Sequence, residues 1–173
     1  AGPAGLGYYR YTIEGWQIYS LNSNISMTTG SPQLQWLQAE LNANPSRCSL
    51  AYWHHPRFSS GPHGDDAGSA EVWRALYAAG VDIALAGHDH LYERFAPQSP
   101  DGRSDFLHGL REFIVGTGGA ELTPPVRSHA NSEARAAVNG VLRLTLRSDG
   151  YTWVFVSESG ASLDSGVGTC VEA

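Results

Sequence analysis

"AEVWRALYAAGVDIALAGHDH", residues 70–90, decides the fold. Its first half carries Val72, Leu76 and Ala79 at helical spacing, so one stripe of a helix is apolar. Gly80 supplies the stop. "VDIALA", residues 81–86, then runs almost continuously apolar, the pattern of a strand covered on both faces. Upstream, "SLAYW", residues 49–53, reads the same way. Strand, helix and strand in that order predict a βαβ unit in a sheet covered by helices, and hence a chain of the α/β (α+β) class. Histidines follow both strands: His54 and His55 after the first, His88 and His90 after the second.

The flanking sequence extends this frame. "YYRYTIEG" and "WQIYSLNS" predict a hairpin around Glu14 and Gly15. "SPQLQWLQAELNANP" predicts a helix with Ser31 as N-cap, Pro32 as first residue and Leu34, Leu37 and Leu41 on its apolar face. Beyond Phe95 a loop runs to about Gly109, and "REFIVGTGG" predicts a strand ending in a glycine turn. Residues 124–139 are polar and read as loop. "GVLRLTLRSDGYTWVFVSESG" alternates apolar and polar residues around Ser148-Asp149-Gly150 and predicts a second hairpin. "SLDSGVGTCVEA" adds an edge strand. No internal repeat or low-complexity linker interrupts the chain.

Composition narrows the function classes. The chain has 173 residues, 42% hydrophobic and 16% charged, which suits one domain or a large piece of one. No apolar run approaches the roughly 20 residues that span a bilayer, and no signal peptide is visible at the start. The expectation is no membrane partner. All eleven basic residues are arginine, a sign of GC-rich coding. A net charge of −6 without a basic run argues against binding a nucleic-acid backbone. Cys48 and Cys170 lack C-x-x-C spacing, so they are either two buried thiols or one bridge. A bridge is expected, and it would place the protein in an oxidising compartment.

The histidines carry the chemistry. Loops at the carboxyl ends of strands are where α/β sheets bind ligands. If the two strands are parallel, their histidines share one edge. Neutral imidazole suits Zn, Fe and related metals. His-x-His spacing in extended chain sends both rings to one side, and Gly87 is expected to provide the tight turn ahead of it.

"GHDHLYER" resembles the last motif of the calcineurin-like metallophosphoesterases, and "WHHP" resembles the motif before it. Together with "SSGPHG" and "REFIVGTGG", the pattern is most similar to the bacterial branch related to purple acid phosphatases. The resemblance implies half of a four-layer αββα sandwich and a phosphomonoesterase or phosphodiesterase that uses two metal ions (Zn, Fe or Mn) and a metal-bound hydroxide. It implies His54, His88 and His90 as metal ligands, with His54 and His88 on one ion and His90 on the other. His55 falls where the family tolerates various residues. His63 falls where relatives face the substrate phosphate, so it is expected to bind a phosphate oxygen or protonate the leaving group. Asp89 is expected either to support a ligand imidazole or to satisfy a turn. The glycine turn 116–119 either offers backbone N–H groups to phosphate or is structural. Tyr92, Glu93 and Arg94 are expected to pack and pair.

The family's earlier motifs, Asp-x-His, Gly-Asp with a further ligand, and Gly-Asn-His-Asp/Glu, do not occur; Gly64-Asp65 lacks the strand context. The chain is therefore expected to be the carboxyl-terminal part of one domain, with the amino-terminal half as a separate chain or cleaved fragment. The resemblance also implies a phosphoester substrate and a secreted or cell-envelope location in a bacterium. Two rivals remain: a β-rich binding piece with at most one loosely held metal, and a mononuclear hydrolase with His54, His88 and His90 on one ion.

Overall fold

A computed structural model describes residues 5–171. The central sheet has seven strands. They are β1 (Tyr9–Ile13), β2 (Trp16–Ser20), β3 (Ser49–Tyr52), β4 (Ile83–Ala86), β5 (Tyr92–Phe95), β6 (Arg111–Val115) and β7 (Ser132–Ala136). Their spatial order is β1-β2-β3-β4-β6-β5-β7. β2, β3, β4 and β6 run parallel to one another, while β1 pairs antiparallel with β2, and β5 antiparallel with β6 and β7. Three further strands, β8 (Gly140–Arg147), β9 (Gly150–Ser157) and β10 (Ser162–Thr169), form an antiparallel sheet of order β10-β9-β8. Two helices, α1 (Pro32–Ala43) and α2 (Ala70–Ala78), complete the fold. None is long and apolar enough to cross a membrane.

The layers follow from side-chain alternation. One core lies under the helices, where Leu34 and Leu37 of α1 and Val72, Trp73 and Leu76 of α2 meet Ala51, Ala84 and Ile114 of the large sheet. The other lies between the sheets, where Trp16, Ile18, Leu50, Ile83 and Phe113 meet Tyr151, Trp153 and Phe155. The described residues thus build three of the four layers expected. The βαβ unit β3-α2-β4 is parallel, as the apolar runs require. Ser31 caps α1, accepting from the Leu34 N–H at 3.3 Å. Gly80 follows α2 at φ 69°.

β7 departs from the polar loop expected over 124–139. It alternates half-buried Ser132, Ala134 and Ala136 with exposed Glu133 and Arg135. These inward residues are too small to give the run an apolar signature. β10 confirms the predicted edge strand; the last two residues of that stretch lie outside the described ones. β8 pairs only with β9 among the described strands, and it exposes Val141, Arg143, Thr145 and Arg147.

Cys48 and Cys170 form the bridge, with Cα atoms 5.3 Å apart. Cys48 leads into β3 and Cys170 follows β10, so the bond ties the two sheets together. Beside it lies buried Asp82, whose carboxylate accepts the Ser49 N–H at 2.8 Å and the Val171 N–H at 2.6 Å. Burial outweighs these bonds and pushes its pKa up to about 6. An acid raised by folding favours the folded state most when protonated, so its contribution is full below the ordinary aspartate range and is lost as pH rises through about 6. The unfolding free energy of the wild type minus that of Asp82→Asn should therefore fall between pH 4 and pH 7, by on the order of 2 kcal/mol. Urea titrations across that range measure it, and a difference that is flat or rising would contradict it.

Candidate metal centre

Three parallel strands deliver their carboxyl ends to one edge. The ladder continues past them: Leu21 N–H donates to Tyr52 carbonyl at 2.9 Å, Trp53 N–H to Leu85 carbonyl at 3.1 Å, and Gly87 N–H to His54 carbonyl at 3.0 Å. The last bond locks the His54 turn to the His88 turn.

The side chains converge there. The rings of His54 and His88 lie 4.9 Å apart by centroid, and His54 Nε2 meets His88 Nδ1 at 3.0 Å. His55 joins them, 4.8 Å from His54 and 4.4 Å from His88. The ligand nitrogens of His54, His55 and His88 all lie within 4.8 Å of one another. Burial first, then the neighbouring His55 and His90, holds the His54 pKa below its ordinary value. Burial first, then His55, His63 and His54, does the same for His88. Both rings are neutral bases near pH 7, the form that binds metal.

The turn is not where the sequence placed it. His88, not Gly87, holds the left-handed backbone, at φ 65°. Histidine tolerates that region better than most residues, at a cost of about 1–3 kcal/mol.

His90 stands outside the three-ring set. Its backbone N–H donates to Thr123 Oγ1 at 2.9 Å and its Nδ1 to the Glu121 carbonyl at 2.7 Å. A carbonyl only accepts, so Nδ1 carries the proton and Nε2 keeps a free lone pair.

Asp89 is fully buried and serves His63 rather than either flanking histidine. Its Oδ1 accepts the His63 backbone N–H at 3.1 Å and the ring Nδ1–H at 2.7 Å, and its Oδ2 accepts Ser59 Oγ–H. Burial alone would raise its pKa, but these bonds outweigh it and hold the carboxylate low. Gly61 and Gly116 close the cage. A Cβ on Gly61 would stand 2.2 Å from the Asp89 carboxyl carbon, and one on Gly116 would stand 2.0 Å from the Asp89 carbonyl oxygen. The His63 ring, half exposed, packs 4.3 Å from His88 with Nε2 free. Gly116 of the glycine turn thus packs against Asp89.

Carboxylates that carried no sequence signal hold the loop beneath. Glu112 accepts the Arg57 and Phe58 N–H groups at 2.8 and 3.1 Å, Asp65 that of Ser59 at 2.9 Å, and Glu93 that of Ser60 at 2.9 Å. Burial drives the Glu112 pKa well up, ahead of the opposing pull of those two N–H groups. Arg94 pairs with Asp164 at 2.7 Å and with Glu133, leaving Glu93 to the loop. Tyr92 stacks on Phe155 at 4.0 Å.

The sequence and the fold have counterparts among known proteins. The chain is 32% identical over 118 residues to purple acid phosphatase 18 of Arabidopsis thaliana, covering 65% of this chain and 26% of that one. It is 34% identical over 104 residues to a probable purple acid phosphatase 20 of the same plant, covering 56% and 24%. A purple acid phosphatase from yellow lupin seeds superposes with a TM-score of 0.88 at 19% identity, covering 98% of this chain and 34% of that one. The chain is related to the purple acid phosphatases. It matches part of their calcineurin-like metallophosphoesterase fold, about a quarter of the length of the curated purple acid phosphatases. No family model matches the sequence. A Plasmodium protein described as the anchor in the inner membrane complex shares the fold as well (TM-score 0.75, 15% identity, 96% of this chain and 54% of that one). The mixed architecture agrees with the carboxyl-terminal part of the purple acid phosphatase fold.

The donor set fits a metal. Three imidazoles converge, and a fourth, His90, has its Nδ1 on the Glu121 carbonyl and its Nε2 left to ligate. No carboxylate belongs to the three-ring set, and Asp89 is committed to Ser59 and His63.

Proposed function

We propose that this chain is the histidine-bearing half of a metal-dependent phosphoester hydrolase, a phosphomonoesterase or phosphodiesterase. The supporting observation is the meeting of His54, His88 and His63 at the carboxyl edge of parallel strands, in a chain related to purple acid phosphatases. His54, His88 and His90 are its metal ligands in the complete domain, where a first half supplies the rest, including a bridging carboxylate. That half is a separate chain or another segment of the same precursor. Two ions held there would supply a clamp on the phosphoryl group and a water of lowered pKa.

The chain's own part is positional. Asp89 fixes the Nδ1–H of His63, which leaves Nε2 for substrate on a ring 4.3 Å from that of His88. From there His63 binds a phosphate oxygen or delivers a proton to the leaving oxygen. The buried anchors of loop 57–63 hold that ring in place before substrate arrives. The disulfide suits a secreted or cell-envelope location.

The test is to supply the first half and assay p-nitrophenyl phosphate and bis-p-nitrophenyl phosphate with Zn, Mn or Fe. Metal-dependent turnover, abolished by a chelator and restored by metal, is expected. A correctly assembled, metal-loaded domain that leaves both esters intact would overturn the reading.

A further inference from the structure

His54, His55 and His88 form a closed ring of imidazoles, and His55 has no part in the phosphoesterase reading. The three centroid separations, 4.8, 4.9 and 4.4 Å, are nearly equal, so no ring is an outlier. We propose that these three residues hold one transition-metal ion of the zinc class, with His55 as third ligand.

The distances suit an ion at the centre. Two nitrogens sharing a tetrahedral Zn at about 2.0–2.1 Å stand about 3.3–3.4 Å apart. His54 Nε2 and His88 Nδ1 already stand at 3.0 Å. His54 is exposed and the other two half-buried, so small ring rotations close the remaining gaps. Ser23 Oγ takes His55 Nδ1 at 2.8 Å and accepts the His55 backbone N–H at 3.1 Å. That leaves His55 Nε2 to ligate, oriented by an outer hydrogen bond as metal-bound imidazoles usually are.

The backbone is set in advance. Trp53 Nε1–H donates to the His55 carbonyl at 2.7 Å, and Gly87 N–H donates to the His54 carbonyl. Both ligand-bearing turns are therefore in register without the ion, and ordering them costs the site little. Three imidazoles with water as fourth ligand are a sound zinc set. With no carboxylate in the ring the site takes a single ion.

Co²⁺ titrated into the 173-residue chain reads this directly through its tetrahedral ligand-field bands, with elemental analysis after dialysis giving stoichiometry. One ion per chain is expected. His55→Ala should weaken binding about tenfold or more, Ser23→Ala should weaken it in the same direction, and His108→Ala, at an exposed histidine outside the cluster, should leave it unchanged. Circular dichroism checks that each variant is folded. The proposal is overturned by no binding, by His55→Ala binding like wild type, or by His108→Ala weakening binding as much as His55→Ala. Hydrolysis is not read here, so this proposal and the phosphoesterase reading fail separately.

Discussion

Hydrolysis by the chain with its first half supplied should fall by at least about 10²–10³-fold on His88→Ala, and comparably on His90→Ala. Each change would remove a ligand nitrogen from a two-ion centre, and two-metal hydrolytic sites in general work at a metal spacing of about 3.5–4 Å. The chain by itself should show no metal-dependent turnover above background. Its converging donors are imidazoles alone, and the one carboxylate between them is buried and occupied by Ser59 and His63. Without a bridging anion, two divalent cations at that spacing repel each other unopposed. Steady-state assays on the chain, the assembled pair and both variants decide the matter. Turnover by the purified 173-residue chain that His90→Ala abolishes would falsify the incomplete-site argument.

Replacing Cys48 and Cys170 together by alanine should cost about 4–5 kcal/mol in the chain-entropy model. The bridge spans 122 residues, so its loss releases a very long loop in the unfolded chain. That range is a large share of the 5–15 kcal/mol that holds an ordinary domain folded. Urea unfolding of the oxidised wild type against the double variant gives the difference directly. A loss below about 1 kcal/mol would mean that the unfolded chain retains structure around β3 and β10.

Some of this architecture is plain in the residues and some is not. α2 and β4 are legible because Val72 and Leu76 recur at helical spacing and Ile83–Ala86 then runs apolar. β8 and β9 are legible because a sheet with one dry face must alternate. β7 escapes because Ser132, Ala134 and Ala136 fill their inward positions with little apolar surface.

The site divides in the same way. Histidines at two strand ends mark an edge of the sheet, and the edge is where their rings meet. His55 escaped because adjacent residues in an extended run face opposite ways, whereas the chain turns after Trp53 and brings both rings to one cluster. Glu112 escaped because its contacts lie far along the chain. Alternation puts it on the helix side of β6, but the amides it satisfies belong to a loop 54 and 55 residues earlier. Asp89 was visible as a carboxylate between ligands, yet its partner His63 lies 26 residues away.

The open side of the small sheet bears on how copies of this chain treat one another. Gly140 at one end of β8 bonds Thr117 and the Arg147 carbonyl at the other accepts Trp16 Nε1–H; between them β8 has no second strand partner among the described ones, and an open edge invites a strand. Two copies meeting edge to edge in the antiparallel register that sets Arg143 opposite Arg147 would put like charges across the strand pair, which opposes that register. Arg143 and Arg147, exposed on β8, belong to neither apolar core nor the histidine cluster, so on that strand their charge bears on pairing alone.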